Sequence, residues 1–154
     1  MPAEPQPAAV FTPEYLVYGL ESAADPQIAP DGHALIYALG KAARGKKLAG
    51  SQIWRCNLDG SDARQLTRTG ERNGGGRWSP DSRSIAFVSN RVPNAGLFVL
   101  SEDGGEAREL TRHNGAIGEL AWSPDGRTIA YVTTFDPANP DESEPGPEDA
   151  PRVR

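Results

Sequence analysis

Residues 52–89 reappear 44 positions later as residues 96–133, aligned without a gap and identical at 16 of 38 positions. The identities include the whole runs 78–81 and 122–125, each a tryptophan followed by serine, proline and aspartate. A diverged third copy precedes them, with Ile28, Ala29, Pro30, Asp31 and Gly32 in the place of that run. Self-similarity at such a period is the signature of a repeat architecture, whose units bury their apolar faces only against one another. The chain must therefore be read as stacked units.

Each copy has the same internal order. A short strand ends at Ile28, Trp78 or Trp122, and a turn built on proline and aspartate follows. Proline presets φ at the second turn position, aspartate bonds local backbone, and the glycine after it tolerates positive φ. Ser82 stands where Gly32 and Gly126 stand in the other copies, which predicts either slight strain or a slightly changed turn there. An apolar strand comes next, at 35–37, 85–88 and 129–132, then a third strand at 53–58 and 97–100. A second turn (Asp59 and Gly60, or Asp103 to Gly105) leads into a fourth strand at 63–67 and 107–111. Four strands per unit of about 44 residues match one blade of a β-propeller. The predicted fold class is all-β, a partial propeller of about two and a half four-stranded blades preceded by one short helix.

The predicted boundaries are a disordered arm at 1–11, a short helix at 12–22, blades at 23–135 with the third incomplete, and an acidic, proline-rich loop with the start of a further strand at 136–154. The helix rests on Thr12 as N-cap, Pro13 in the first turn and Glu14 beside it. The first repeat is six residues longer than the second, and the surplus falls in a basic, glycine-flanked loop at 40–47 expected at the rim. Residues 136–149 hold six acids and four prolines, a composition that does not sustain a core.

Bulk properties narrow the function classes. A formal charge of −5 argues against a general affinity for nucleic acid or anionic membrane. No apolar run approaches a membrane span, and the N-terminus shows no basic region followed by an apolar core. The single cysteine, Cys56, has no partner for an internal disulfide or a zinc site. These features predict a cytoplasmic protein.

Single residues invite sharper readings. Trp78 and Trp122 end the inner strand, where a large aromatic fills the space between blades; a ligand-stacking platform is the alternative. Asp31, Asp81 and Asp125 recur at one turn position, and turn chemistry accounts for them without a metal. Leu66 and Leu110 are expected to pack inward, and Thr67 and Thr111 to cap the outer strand. His33 and His113 are expected at exposed turns. Gly74, Gly75 and Gly76 lack the lysine of a phosphate loop and a following helix, so close approach to the inner strand explains them better. No nucleophile elbow or zinc-binding histidine pair is present. The expectation is of no catalytic, cofactor-binding or metal-binding residue in these 154 residues, and of no cofactor.

The run Trp-Ser-Pro-Asp, then arginine and an Ile-Ala-aromatic-Val strand, closing on Arg-x-Leu-Thr, resembles the blade pattern of TolB-like propellers over residues 12–134. The same pattern builds the N-terminal propeller of prolyl oligopeptidase-family serine peptidases, including acylaminoacyl peptidases. Thr12-Pro13-Glu14-Tyr15-Leu16 and Asp25-Pro26-Gln27-Ile28-Ala29-Pro30-Asp31-Gly32 resemble the peptidases' opening helix and first blade, with Tyr15 and Ala29 as departures. The acidic insertion followed by Ala150, Pro151, Arg152, Val153 and Arg154 points the same way, whereas TolB itself is periplasmic and has a further domain before its propeller. The resemblance implies a propeller that gates access to an α/β-hydrolase domain carrying the catalytic serine, aspartate and histidine outside residues 1–154. The implied partners are that domain, the remaining blades and the parent's peptide substrates; open blade edges add self-association. A non-enzymatic TolB-like module that docks a protein is the alternative, with residues 41–47 and the acidic segment as contacts.

Overall fold

The computed structural model describes residues 13, 15–42, 50–92, 95–113 and 115–133. The arm at 1–11, most of the basic loop and the segment 136–154 lie outside them.

A π-helical turn, Tyr15–Gly19, leads directly into strand β1, Glu21–Ile28. Glu21 and Ser22, expected to end the helix, instead pair with Lys41 and Gly40 of β2, Ala34–Lys41. That pairing extends the first hairpin beyond its expected start, and cross-strand hydrogen bonds replace helical ones. Strand β3, Gly50–Asn57, and the two-residue β4, Arg64–Gln65, complete the first sheet in the order β1-β2-β3-β4. Leu58, read as the end of the third strand, lies in the following turn and is exposed, because Asn57 N–H already closes that turn on Ser61.

The second blade repeats this order in β5, Asn73–Trp78, β6, Ser84–Ser89, β7, Ala95–Ser101, and β8, Gly104–His113. The third contributes β9, Ile117–Trp122, and β10, Ile129–Thr133. All pairings within the sheets are antiparallel.

The middle blade shows why the repeat is needed. Side chains alternate across a strand, and β6 sends Ile85 and Phe87 to one neighbour and Ala86 and Val88 to the other. Phe98 and Leu100 of β7 join the first core with Ile36, Ile53, Leu66 and Trp78. Leu97 joins the second with Leu110, Ile117, Leu120 and Ile129. Leu66 and Leu110 thus pack inward as the repeat predicts. The hydrophobic core is therefore two slabs between three sheets, and the middle sheet supplies both.

The tryptophans stitch those slabs. Trp78 donates its indole N–H to the carbonyl of Gln27 at 3.1 Å, and Trp122 donates to that of Arg77 at 3.0 Å. Gln27 and Arg77 each precede the residue that ends their own inner strand, so the two bonds are repeat equivalents. The first copy has Ile28 at that position, whose side chain has no N–H to offer, and the residue is 65% exposed.

Candidate functional site

In a propeller the first strand of each blade lines the axis. Here β1, β5 and β9 are edge strands of their sheets, so each leaves one backbone edge toward that axis. Function on such a scaffold belongs where these edges and their connecting loops expose unusual groups.

All three inner strands bulge. The register of β9 against β10 slips between Ile117 and Leu120. Those of β1 and β5 slip at equivalent positions, β1 against β2 between Ala24 and Gln27, and β5 against β6 between Gly74 and Arg77. In these two the extra residue takes positive φ, 50° at Asp25 and 62° at Gly75. A bulge twists the strand and re-aims side chains. The one in β1 turns Asp25 toward Arg77, whose guanidinium lies 2.8 Å from the carboxylate and also donates to the Gly76 carbonyl. Gln27 donates to the same carboxylate at 3.1 Å. The ion pair crosses from the first blade to the second beside the axis.

The three glycines have separate reasons. A Cβ on Gly76 would stand 2.9 Å from Ile36 Cδ1, so the first blade packs against that backbone. Gly75 is required by its φ, and Gly74 faces open space.

Below the bulge lies a groove of about 510 Å³ at the start of β5 and β9, lined by Arg72, Gly74, Arg77, Val88, Ile117 and Glu119, among others. Its rim is held firmly. Arg72 accepts from Asn90 N–H through its carbonyl and donates its own N–H to Asn90 Oδ1, and Ser51 Oγ donates to the Asn73 carbonyl. Asn73 is fully buried; its amide donates to Gln52 Oε1 and the Thr69 carbonyl and accepts from Arg91. Gln52 Oε1 also accepts from Thr67 Oγ1, which accepts in turn from Ile53 N–H. Thr67 therefore ties the outer strand to the third strand and, through Gln52, to the next blade. Arg91 stacks over Phe87 and Phe98, 5.1 and 4.7 Å from their centroids, and donates to Ser89; burial lowers its pKa. This polar chain shows no signature in sequence, because its members meet only once two blades are packed.

The repeated aspartates stay apart, one per turn. Asp81 accepts from Ser79 Oγ and Arg83 N–H, and Asp125 accepts from Ser123 Oγ and Arg127 N–H. The serine hydroxyl, first, and then the backbone N–H hold both carboxyls below the usual carboxylate range. Asp31 accepts only from His33 N–H among these bonds, since Ala29 replaces the serine. Its own N–H donates to Ser82 Oγ, which links the first turn to the second. Ser82 sits at φ 61°, so of the two predicted outcomes the turn takes the strain.

His33 is exposed, as expected of a turn residue. His113 is not: it is buried at the end of β8, where Nδ1 accepts from Gly115 N–H and lies 3.1 Å from Thr133 Oγ1. The reason is the third blade, whose second strand closes over that end. Trp78 is buried and committed to Gln27, which assigns it to the junction and not to a stacking platform. Cys56 is buried and free. Among the described residues no three histidine, cysteine, aspartate or glutamate side chains converge as a metal site would require, and no helix is long and apolar enough to cross a membrane.

The family model described as TolB beta propeller domain matches residues 17–139. A peptidase of Bacillus subtilis, YuxL, whose function is uncharacterised, is 33% identical over 86 residues, covering 55% of this chain and 13% of that protein. Dipeptidyl-peptidase 5 of Porphyromonas gingivalis is 32% identical over 80 residues, covering 52% and 12%. The chain thus spans about an eighth of the length of these curated relatives. Among solved structures, the acylaminoacyl peptidase of Pyrococcus horikoshii superposes with a TM-score of 0.62 at 21% identity, over 75% of this chain and 17% of that one. The β-propeller domain of the Trilobed protease from Pyrococcus furiosus gives 0.62 at 22%, over 79% and 36%. At these identities the structures establish the fold, and each superposition falls on part of a larger propeller protein.

Proposed function

The chain belongs to the TolB β-propeller domain family, and on that premise we propose that its blades form part of the access-restricting propeller of a serine peptidase of the prolyl oligopeptidase type, close to the acylaminoacyl peptidases. The observation that carries this reading is the pair of peptidase relatives at 33% and 32% identity, both matched over a short part of their length. In this reading the catalytic serine, aspartate and histidine belong to a hydrolase domain beyond these 154 residues. The blades contribute a wall: β1, β5 and β9 line the axis, and the Asp25–Arg77 pair ties the first of them to the second. Cytoplasmic residence belongs to the same proposal and is supported by the buried, unpaired Cys56.

Protein captured from its source with antibodies against these blades should hydrolyse an N-acyl peptide, and a serine-directed inhibitor should abolish the turnover. The 154-residue chain by itself should hydrolyse neither acyl-peptide nor prolyl substrates. Captured protein that carries no inhibitor-sensitive hydrolysis would instead support a non-enzymatic TolB-like module that docks a partner protein. That second reading is favoured by the family match, which rests on the propeller alone; partner capture lost on deleting residues 40–47 would identify it.

A further inference from the structure

The corner where the second blade passes into the third is closed by one imidazole. His113 ends β8 and is buried there, opposite Ala95 of β7. Its Nδ1 has two neighbours at hydrogen-bond distance, Gly115 N–H and Thr133 Oγ1, each 3.1 Å away. Gly115 lies in the connection to β9, and Thr133 ends β10. An amide N–H can only donate, so Gly115 needs Nδ1 bare. Thr133 Oγ1 donates its hydrogen to the Ala116 carbonyl at 3.0 Å and has only lone pairs left for the ring. It therefore needs Nδ1 protonated. The two bonds exclude each other, and the proton on Nδ1 chooses between them. The charged and titratable groups near this corner on the elements packed against it are Glu109 and Arg112 of β8, Glu119 of β9 and Tyr131 of β10, while β7 carries none. Arg112 pairs with Glu109 at 2.7 Å, and none of the four is a hydrogen-bond partner of the imidazole.

We infer that His113 is a proton-operated clasp between the second and third blades. Neutral, with its hydrogen on Nε2, the ring accepts from Gly115 N–H and holds the connection into β9. Protonated, it donates Nδ1–H to Thr133 Oγ1, whose own hydrogen goes on to the Ala116 carbonyl, and Gly115 N–H is released. One bond is gained as the other is lost, so the change is a swap of anchors and not an unfolding. Imidazole is the side chain whose ordinary titration falls in the physiological range, which makes such a swap reachable by mild acidification. Gly115 is followed by Ala116 and Ile117, which line the groove at the start of β5 and β9. Acid therefore loosens the connection at one wall of that groove. The inference goes beyond the peptidase reading and stands whether or not a hydrolase domain follows.

The test is a titration of the 154-residue chain from about pH 8 to about pH 5, following the Gly115 amide and the His113 ring by NMR. The Gly115 amide proton should move upfield as its acceptor is lost, with the same midpoint as the ring. His33 is exposed at the first turn, and His33→Gln should leave the Gly115 titration unchanged. Thr133→Val removes the acceptor of the protonated ring, so both midpoints should fall together by about one pH unit, the loss of one charge-assisted bond. His113→Asn offers an oxygen that accepts from the N–H two residues on at any pH, so Gly115 should stop responding. Melting temperatures establish that each variant is folded; if His113→Asn is not, the wild-type and Thr133→Val titrations decide alone. A Gly115 amide that does not follow the His113 ring overturns the inference, as does a midpoint that Thr133→Val leaves in place.

Discussion

Trp78 carries two loads at once, filling the slab between the first two blades and bonding the Gln27 carbonyl. Trp78→Phe removes the N–H and part of the volume, and should destabilise the chain by about 1–3 kcal/mol. Trp122→Phe should cost less, because Trp122 is only half-buried; urea unfolding of the pair gives the comparison. The glycines of β5 make a graded series. Gly76→Ala drives a methyl into Ile36 and should cost about 1–3 kcal/mol, the range for overpacking. Gly75→Ala forces an L residue to positive φ at about 1–2 kcal/mol. Gly74→Ala meets open space and should be neutral or slightly stabilising.

The turn aspartates give a pH signature at the same scale. Hydrogen bonds from Ser79 and Ser123 depress the folded-state pKa of Asp81 and Asp125 below the unfolded value. Their contribution is therefore fully present above the unfolded value of about 4 and is lost as pH falls through the folded value. Melting temperature should drop on acidification below about pH 4, and a Ser79→Ala, Ser123→Ala double variant should drop less steeply.

At the scale of elements, the inner and second strands were legible in the sequence, because the repeat fixes their phase and the proline-aspartate turn marks the junction between them. The ends of Ile28, Trp78 and Trp122 fall where the turn chemistry puts them. What escaped depends on partners distant in sequence. Glu21 and Ser22 read as helix because the local signal stops at Pro13 and Glu14, whereas their strand state comes from Lys41 and Gly40. His113 read as an exposed turn because the strand that closes over it, with Thr133, lies twenty residues on. The bulges were also silent, since Asp25 and Gly75 have no residue type in common and share only a backbone conformation. The middle blade supplies both slabs, so substitutions there should cost most. Phe87→Ala, at a fully buried position that also supports Arg91, should cost about 3–5 kcal/mol. Val132→Ala, at an exposed position of the third blade, should change stability by no more than about 0.5 kcal/mol.

The described residues form two slabs with two open ends. Repeat equivalence says what one end is built for: Leu35, Tyr37, Trp54 and Cys56 occupy the positions of Ile85, Phe87, Phe98 and Leu100, which in the second blade bury against the preceding sheet. At the other end Val132 is 61% exposed. Apolar faces of this kind promote association, so the 154-residue chain should self-associate with rising concentration. An Ile28→Lys, Val132→Lys double variant should weaken that association in light scattering with its circular dichroism unchanged; unaltered scattering would show that these faces are not the contact. The candidate site was only partly legible. The glycine run announced a close approach, but Arg72 and Glu119 are ordinary surface residues in sequence, and only the packing of the second blade on the third brings them to one groove.

The central claim is that these blades are one arc of a propeller standing before a serine hydrolase. The structure of the intact protein that carries residues 1–154, solved with a fluorophosphonate bound, tests it most directly. The account predicts a further blade packed on Tyr37 and Trp54, and a labelled serine in a hydrolase domain reached from the axis lined by β1, β5 and β9. A protein in which Tyr37 and Trp54 face solvent, or in which no serine takes the label, would contradict it.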